Sequence, residues 1–206
     1  QASPVTAGLA CAALIVSNGL LYAQVGFAAP VFALAGGGVV VAGHWVIDRP
    51  DSARRAVSLG ITAIVAGLIR PEGTIVAGLV GLAVLIALGR RAWPPLLRAA
   101  GVAVPIGLCY FLWRWNYFGH PLPNPFYKKG GGSIYPHSLD RAARQLVRTC
   151  WPFLWLFGLG LYTPKTRRLA AAYSVPLVGG TLMWGLLSDE MNYLGRFQYF
   201  LVVVCA

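Results

Sequence analysis

Acidic residues are almost missing from this chain: six Asp and Glu stand against 17 Lys and Arg, and charged residues make up only 11% of 206. A soluble domain carries about 25%. So few polar side chains cannot cover a water-facing surface, whereas a lipid-facing surface needs none, and the 57% hydrophobic content suits lipid. Cysteine is sparse too. Cys11, Cys109, Cys150 and Cys205 lie in or at the ends of apolar runs without paired spacing, and read as small hydrophobes rather than a disulfide or metal framework. Walker, zinc and dinucleotide motifs are missing, so nucleotide-driven transport has no support. The chain starts at Gln1, and its last apolar run, Phe197–Ala206, is shorter than the about 20 residues that cross a bilayer. An internal piece of a longer protein is therefore expected.

What is present is a series of apolar segments: Val5–Leu21, Val25–Ile47, Val57–Ile69, Thr74–Leu88, Ala99–Trp113, Cys150–Tyr162, Leu169–Leu187 and Phe197–Ala206. They imply an all-α polytopic transmembrane bundle of about seven to eight membrane segments, a single domain over 1–206 with an outer-face loop region at 114–149. The two segments beside Arg70-Pro71-Glu72-Gly73 span only roughly 20 Å as helix, which fits a tight hairpin or broken helices. The net charge of +11 sits in short clusters between apolar runs, the pattern of membrane-flanking loops and not of a nucleic-acid face.

Basic short loops mark the cytoplasmic side. Asp48–Ala56 (Arg49, Arg54, Arg55), Gly89–Arg98 (Arg90, Arg91, Arg98) and Pro164–Arg168 (Lys165, Arg167, Arg168) go inside on that rule. If every segment crosses once, the breaks at Tyr22–Gln24, Arg70–Gly73, Arg114–Thr149 and Ser188–Arg196 all face outward. These outer breaks carry the unusual residues, so polar chemistry is expected at the outer face. Ser138–Thr149 has helical periodicity with a basic side formed by Arg141, Arg144 and Arg148, suited to lying along the outer interface.

Three stretches could carry chemistry. Arg70-Pro71-Glu72-Gly73 puts ionisable groups between hydrophobic spans, where they are costly and mark function, although a plain polar turn ended by Pro71 and eased by Gly73 weighs equally. In the run from Trp113 to Lys129 the aromatic belt needs no function. Its prolines Pro121, Pro123 and Pro125 stiffen a loop that presents Asn124, Tyr127 and Lys128 to sugar hydroxyls or phosphate. Asp189, Glu190 and Asn192 either solvate a loop or put a carboxylate into a cavity shared with Arg70 and Arg114. They are oxygen ligands of the kind a divalent metal takes, but one short cluster gives no ligand count. His120 reads as a loop hydrogen-bonder and His44 as a packing residue.

Leu68-Ile69-Arg70-Pro71-Glu72-Gly73, a basic inner loop, the Trp113–Lys129 run, then Asp189 and Arg196-Phe197, in that order, resemble a bacterial family of polytopic GT-C glycosyltransferases. It includes the mycobacterial terminal arabinofuranosyltransferases of cell wall biogenesis. The resemblance runs from about Gly26 to the end. It implies transfer of a pentose or hexose from a polyprenyl-phosphate donor to a glycan or lipid-linked acceptor of the cell envelope, with inversion, at the outer face of the cytoplasmic membrane. Arg70, Glu72, Arg114, Tyr117, Asn124, Tyr127, Lys128, Asp189 and Arg196 match the family pattern as donor-phosphate or substrate-binding candidates. The superfamily's general base is usually an aspartate in the first outer loop, a region that would precede Gln1, which leaves Asp189 as the candidate within the chain. No soluble cofactor is implied, since the donor lipid is already activated. Two departures, Ala28 where relatives carry glutamate and Asn124-Pro125 where asparagine meets a small residue, bear on donor identity more than on fold. The rival readings are a lipid-linked sugar flippase, which would need inverted repeats and polar residues near mid-membrane, and a non-catalytic membrane scaffold.

Overall fold

The computed structural model describes residues 29–121, 136–183 and 200–205. Among these residues nearly everything is helical and there is no strand, so the fold is all-α. The helices are α1 (Ala29–Asp48), α2 (Ala53–Ile69), α3 (Glu72–Leu88), a 3-10 turn at Gly89–Ala92, α4 (Trp93–Phe118), α5 (Pro136–Tyr162), α6 (Arg167–Met183) and α7 (Leu201–Cys205).

Local chemistry sets these boundaries. Ser52 caps α2 by accepting a hydrogen bond from the Arg55 amide at 3.4 Å. At the other end of α2, Pro71 disfavours helical backbone in the residue before it, and Arg70 is extended at φ −151°, ψ 137°. Pro94 and Pro95 sit in the first turn of α4, where a missing amide costs nothing. Gly119 ends α4 in the left-handed region at φ 73°, which a side chain would resist.

The chain reverses at each short connection. Gly73 lies on the backbone of Ala66 and Gly67, so α2 and α3 are antiparallel neighbours. Gly60 approaches Ala99 and Gly107 approaches Ile64, so α4 runs parallel to α2 after the chain has turned back through Gly89–Ala92. The seam between α1 and α3 forms the core, with Val39, Val46, Val76, Val80 and Val84 fully buried. α6 closes onto α3, and α5 and α7 pack beside it. This alternation gathers Arg49, Arg54 and Arg55, then Arg90 and Arg91, then Lys165, Arg167 and Arg168 at one end of the bundle. The Arg70–Gly73 turn and the end of α4 lie at the other.

Two stretches are long and apolar enough to cross a bilayer, Pro30–Asp48 and Glu72–Phe118, fewer than the seven to eight expected. The reason is length and charge. α2, α3 and α6 have 17 residues each, about 25 Å against a hydrocarbon core of about 30 Å, and α2 and α6 open on arginine pairs. The exterior is nevertheless apolar: Leu34 is 79% exposed, Val104 60% and Trp155 64%.

Several expected boundaries move. The helices beside the Arg70 turn are unbroken, which makes the tight hairpin the correct alternative. The aromatic run Trp113–Phe118 belongs to the last turns of α4. Ser138–Thr149 is helical, but it continues directly into the 150–162 segment as α5 instead of forming a separate interfacial helix. Since α5 has 27 residues and its hairpin partner α6 has 17, α5 outruns α6 by about 15 Å. Its buried stripe of Ser138, Ala142, Cys150 and Phe153 leaves Arg141, Arg144 and Arg148 exposed.

Candidate functional site

The Arg70 turn is built by packing. Its backbone closes through Gly73 N–H to the Arg70 carbonyl at 2.8 Å and Thr74 N–H to the Pro71 carbonyl at 3.1 Å, and the Thr74 hydroxyl donates to the same Pro71 carbonyl at 2.7 Å. A β-carbon on Gly73 would lie 2.2 Å from the Ala66 carbonyl oxygen. The glycine is therefore required for close approach of two helices, where the sequence pointed only to an eased bend.

Arg70 faces the α1 side of this turn. Its guanidinium donates to the Glu72 carboxylate at 2.9 Å and lies 5.4 Å from the centre of the Phe32 ring, within cation–π range. Both members of the ion pair are about three-quarters covered. Proline leaves Arg70 extended while Glu72 begins α3, and that geometry brings two residues only two apart into one ion pair.

Arg114 faces the other side. It lines a cavity of about 270 Å³ between α2 and α4, together with Pro71 and Thr74 of the turn and Pro121 beyond α4. Its guanidinium makes a long contact, 3.5 Å, with the Pro121 carbonyl, and no carboxylate pairs with it among the described residues. The rest of the wall is apolar or small: Ala63, Ile64, Gly67 and Leu68 on α2, and Gly107, Tyr110 and Phe111 on α4. Gly67 and Gly107 keep the wall open. The result is a largely apolar groove with one cation, Arg114, in its wall.

The turn and Arg114 thus come together, but Arg70, directed toward Phe32, is not part of the wall of the Arg114 cavity. Tyr117 is not part of the groove wall. It is 72% exposed, stacked on Trp113 at 5.8 Å and edge-on to Phe118 at 4.8 Å. Asn124, Tyr127, Lys128, Asp189 and Arg196 lie outside the described residues. Sequence reasoning passed over Tyr110, Thr74 and the two glycines, whose only signal is their register across two helices that are not consecutive. Among the described residues no three His, Cys, Asp or Glu side chains come together as metal ligands. Cys150 and Cys205 are buried against each other, while Cys109 is exposed on α4. No protein-family model, curated protein or solved structure matches this chain.

Proposed function

We propose that this chain is the membrane-embedded part of a GT-C-like glycosyltransferase that takes its sugar from a polyprenyl-phosphate donor. The observation that carries the reading is Arg114 at the rim of the apolar groove beside the Arg70 turn. An amphiphile with an anionic head and a hydrocarbon tail is complementary to that arrangement: the tail lies along Gly67 and Gly107, and the phosphate meets the planar fork of a guanidinium. The apolar exterior and the two bilayer-length stretches support membrane insertion. On this reading the shorter helices also cross, giving about seven to eight segments, with the basic turns toward the cytoplasm and the groove at the outer face of the inner membrane.

In this mechanism a carboxylate base takes the proton of the acceptor hydroxyl, and the resulting oxygen nucleophile attacks the anomeric carbon. The bond from that carbon to the phosphate oxygen breaks, and the lipid phosphate leaves with the electron pair. Arg114 stabilises the charge that develops there, an effect strengthened by the low dielectric around the groove. Asp189 remains the base candidate in the chain, with the superfamily's usual first-loop aspartate as its rival. Asn124, Tyr127, Lys128 and Arg196 remain donor or acceptor ligands by resemblance. Arg70, held by Glu72, serves first to fix the turn that forms one wall of the groove.

The test uses full-length protein in membranes and labelled sugar on synthetic polyprenyl phosphates. Transfer by the wild type that collapses in Arg114→Ala and Asp189→Ala, at unchanged expression, supports the reading. Absence of transfer from any donor, with movement of donor lipid across the bilayer, would sink it in favour of the flippase.

A further inference from the structure

A second cavity lies at the opposite end of the bundle and has no part in the proposed transfer. It encloses about 340 Å³ between α1, α5, α6 and α7, with walls that include Val41, Phe157, Gly160, Leu169 and Tyr173. This volume is at the lower end of the about 300–1,000 Å³ typical of ligand pockets, room for part of one hydrocarbon chain. Two polar features mark it. The Tyr173 hydroxyl donates to the Val40 carbonyl at 3.3 Å, which satisfies the buried phenol without closing the space. His44, which reads from sequence as a packing residue, is instead exposed at the cavity wall, its ring 6.4 Å from that of Tyr173.

Thr166 also lines the cavity, and it sits inside the Thr163–Thr166 turn that joins α5 to α6. Its hydroxyl is spent on the Gly160 carbonyl at 2.8 Å. Flanking it, Lys165, Arg167 and Arg168 are exposed, and none of the three has an ion-pair partner among the described residues. A hydrocarbon-lined cavity therefore opens beside three uncompensated cations. We infer that this site holds an anionic phospholipid of the leaflet at the basic end, one acyl chain in the cavity and its phosphate against Lys165, Arg167 and Arg168. Charge complementarity selects the occupant. A zwitterionic lipid offers the same chain but brings its own cation to the basic turn, and a soluble anion leaves the apolar space unfilled.

The inference rests on the membrane part of the proposed reading and not on glycosyl transfer. Full-length protein in detergent is titrated with phosphatidylglycerol or phosphatidylcholine, and bound lipids are counted by native mass spectrometry. The expected result is one phosphatidylglycerol bound in preference to phosphatidylcholine. Joint replacement Lys165→Gln, Arg167→Gln and Arg168→Gln weakens that binding about hundredfold, roughly fivefold per charge. The comparison set Arg90→Gln, Arg91→Gln and Arg98→Gln, likewise exposed and on the same side, leaves it unchanged. Val41→Trp, which fills the cavity from its exposed rim, abolishes it. Equal binding of the two lipids, equal loss from both triple sets, or retention in Val41→Trp overturns the inference. A protein that is soluble without detergent fails the membrane reading itself, a different outcome from a detergent-requiring protein without lipid preference.

Discussion

At the turn end of the bundle two arginines have their places fixed by neighbours, Arg70 by the Glu72 carboxylate and the Phe32 ring and Arg114 by the groove wall and the Pro121 carbonyl, whereas Arg141, Arg144 and Arg148 on α5 are exposed. At the opposite end Arg90, Arg91, Lys165, Arg167 and Arg168 are exposed and unpaired among the described residues. The larger number of cations thus sits where topology puts them, as flanking charges need no particular neighbour. A cation partly removed from water has to be compensated or covered. Charge count picks out one end, whereas charge environment picks out individual cations such as Arg70 and Arg114, and environment is the better guide to chemistry.

The most direct way to break that comparison is to measure transfer after removing cations from each end. On the proposed mechanism, Arg114→Ala lowers sugar transfer by about 10²–10³-fold, the usual loss when one donor to a developing oxyanion is removed. Arg114→Lys recovers only part, because a point charge replaces a two-pronged donor. The triple glutamine set at Lys165, Arg167 and Arg168 leaves transfer unchanged. An equal loss from that set would remove the distinction between the ends.

How far sequence alone reached follows from the same contrast. Alternation of basic short loops anticipated which turns share an end, and helix packing reproduces it, because the rule needs only chain direction and loop charge. Segment positions were readable from apolar runs, but their ends were not. Arg54, Arg55, Arg167 and Arg168 are charged and yet helical, and Trp113–Phe118 continues α4 because aromatic residues extend a helix as readily as they begin a loop. The groove was half legible. Arg114 and the Arg70 turn were named, but the wall made by Gly67 and Gly107 depends on register between α2 and α4, with α3 intervening in the chain. That Arg70 turns away toward Phe32 also depends on a helix far off in sequence.

A stability comparison sharpens the account of the turn. Gly73→Leu forces a side chain into the Ala66 backbone, and the thermal midpoint in detergent should fall by an amount equivalent to about 1–3 kcal/mol or more. Gly101→Ala on α4 has open space at that position and should be neutral or stabilising by about 0.5–1 kcal/mol. Similar losses from both would mean that helix approach does not define the turn. Glu72→Gln comes next in size. It removes the carboxylate from a partly buried ion pair, a cost between that of exposed and buried pairs, about 1–2 kcal/mol. Restoration by Arg70→Gln in the Glu72→Gln background would show that the cost lies in the lost pairing of Arg70 with Glu72.

The smallest effect belongs to the basic end, where Arg55 donates to the Asp48 carboxylate at 2.6 Å and to the Trp45 carbonyl at 2.8 Å across the α1–α2 turn. The hydrogen bond from Arg55, with added attraction from Arg55 and Arg49, holds the Asp48 carboxyl below its ordinary range. A depressed folded-state value favours the fold at any pH above the unfolded value of about 3.9, and the contribution disappears as pH falls through the folded value. Asp48→Asn should therefore lower the thermal midpoint slightly at neutral pH, with the gap to wild type closing in acid. High salt should shrink the gap at neutral pH, because the Asp48 side chain is exposed and its attraction to Arg55 is screened. A gap that survives both acid and salt would mean that the bond from Arg55 to the Trp45 carbonyl, and not the carboxylate, holds the turn, and that this partly covered cation is fixed by its backbone environment.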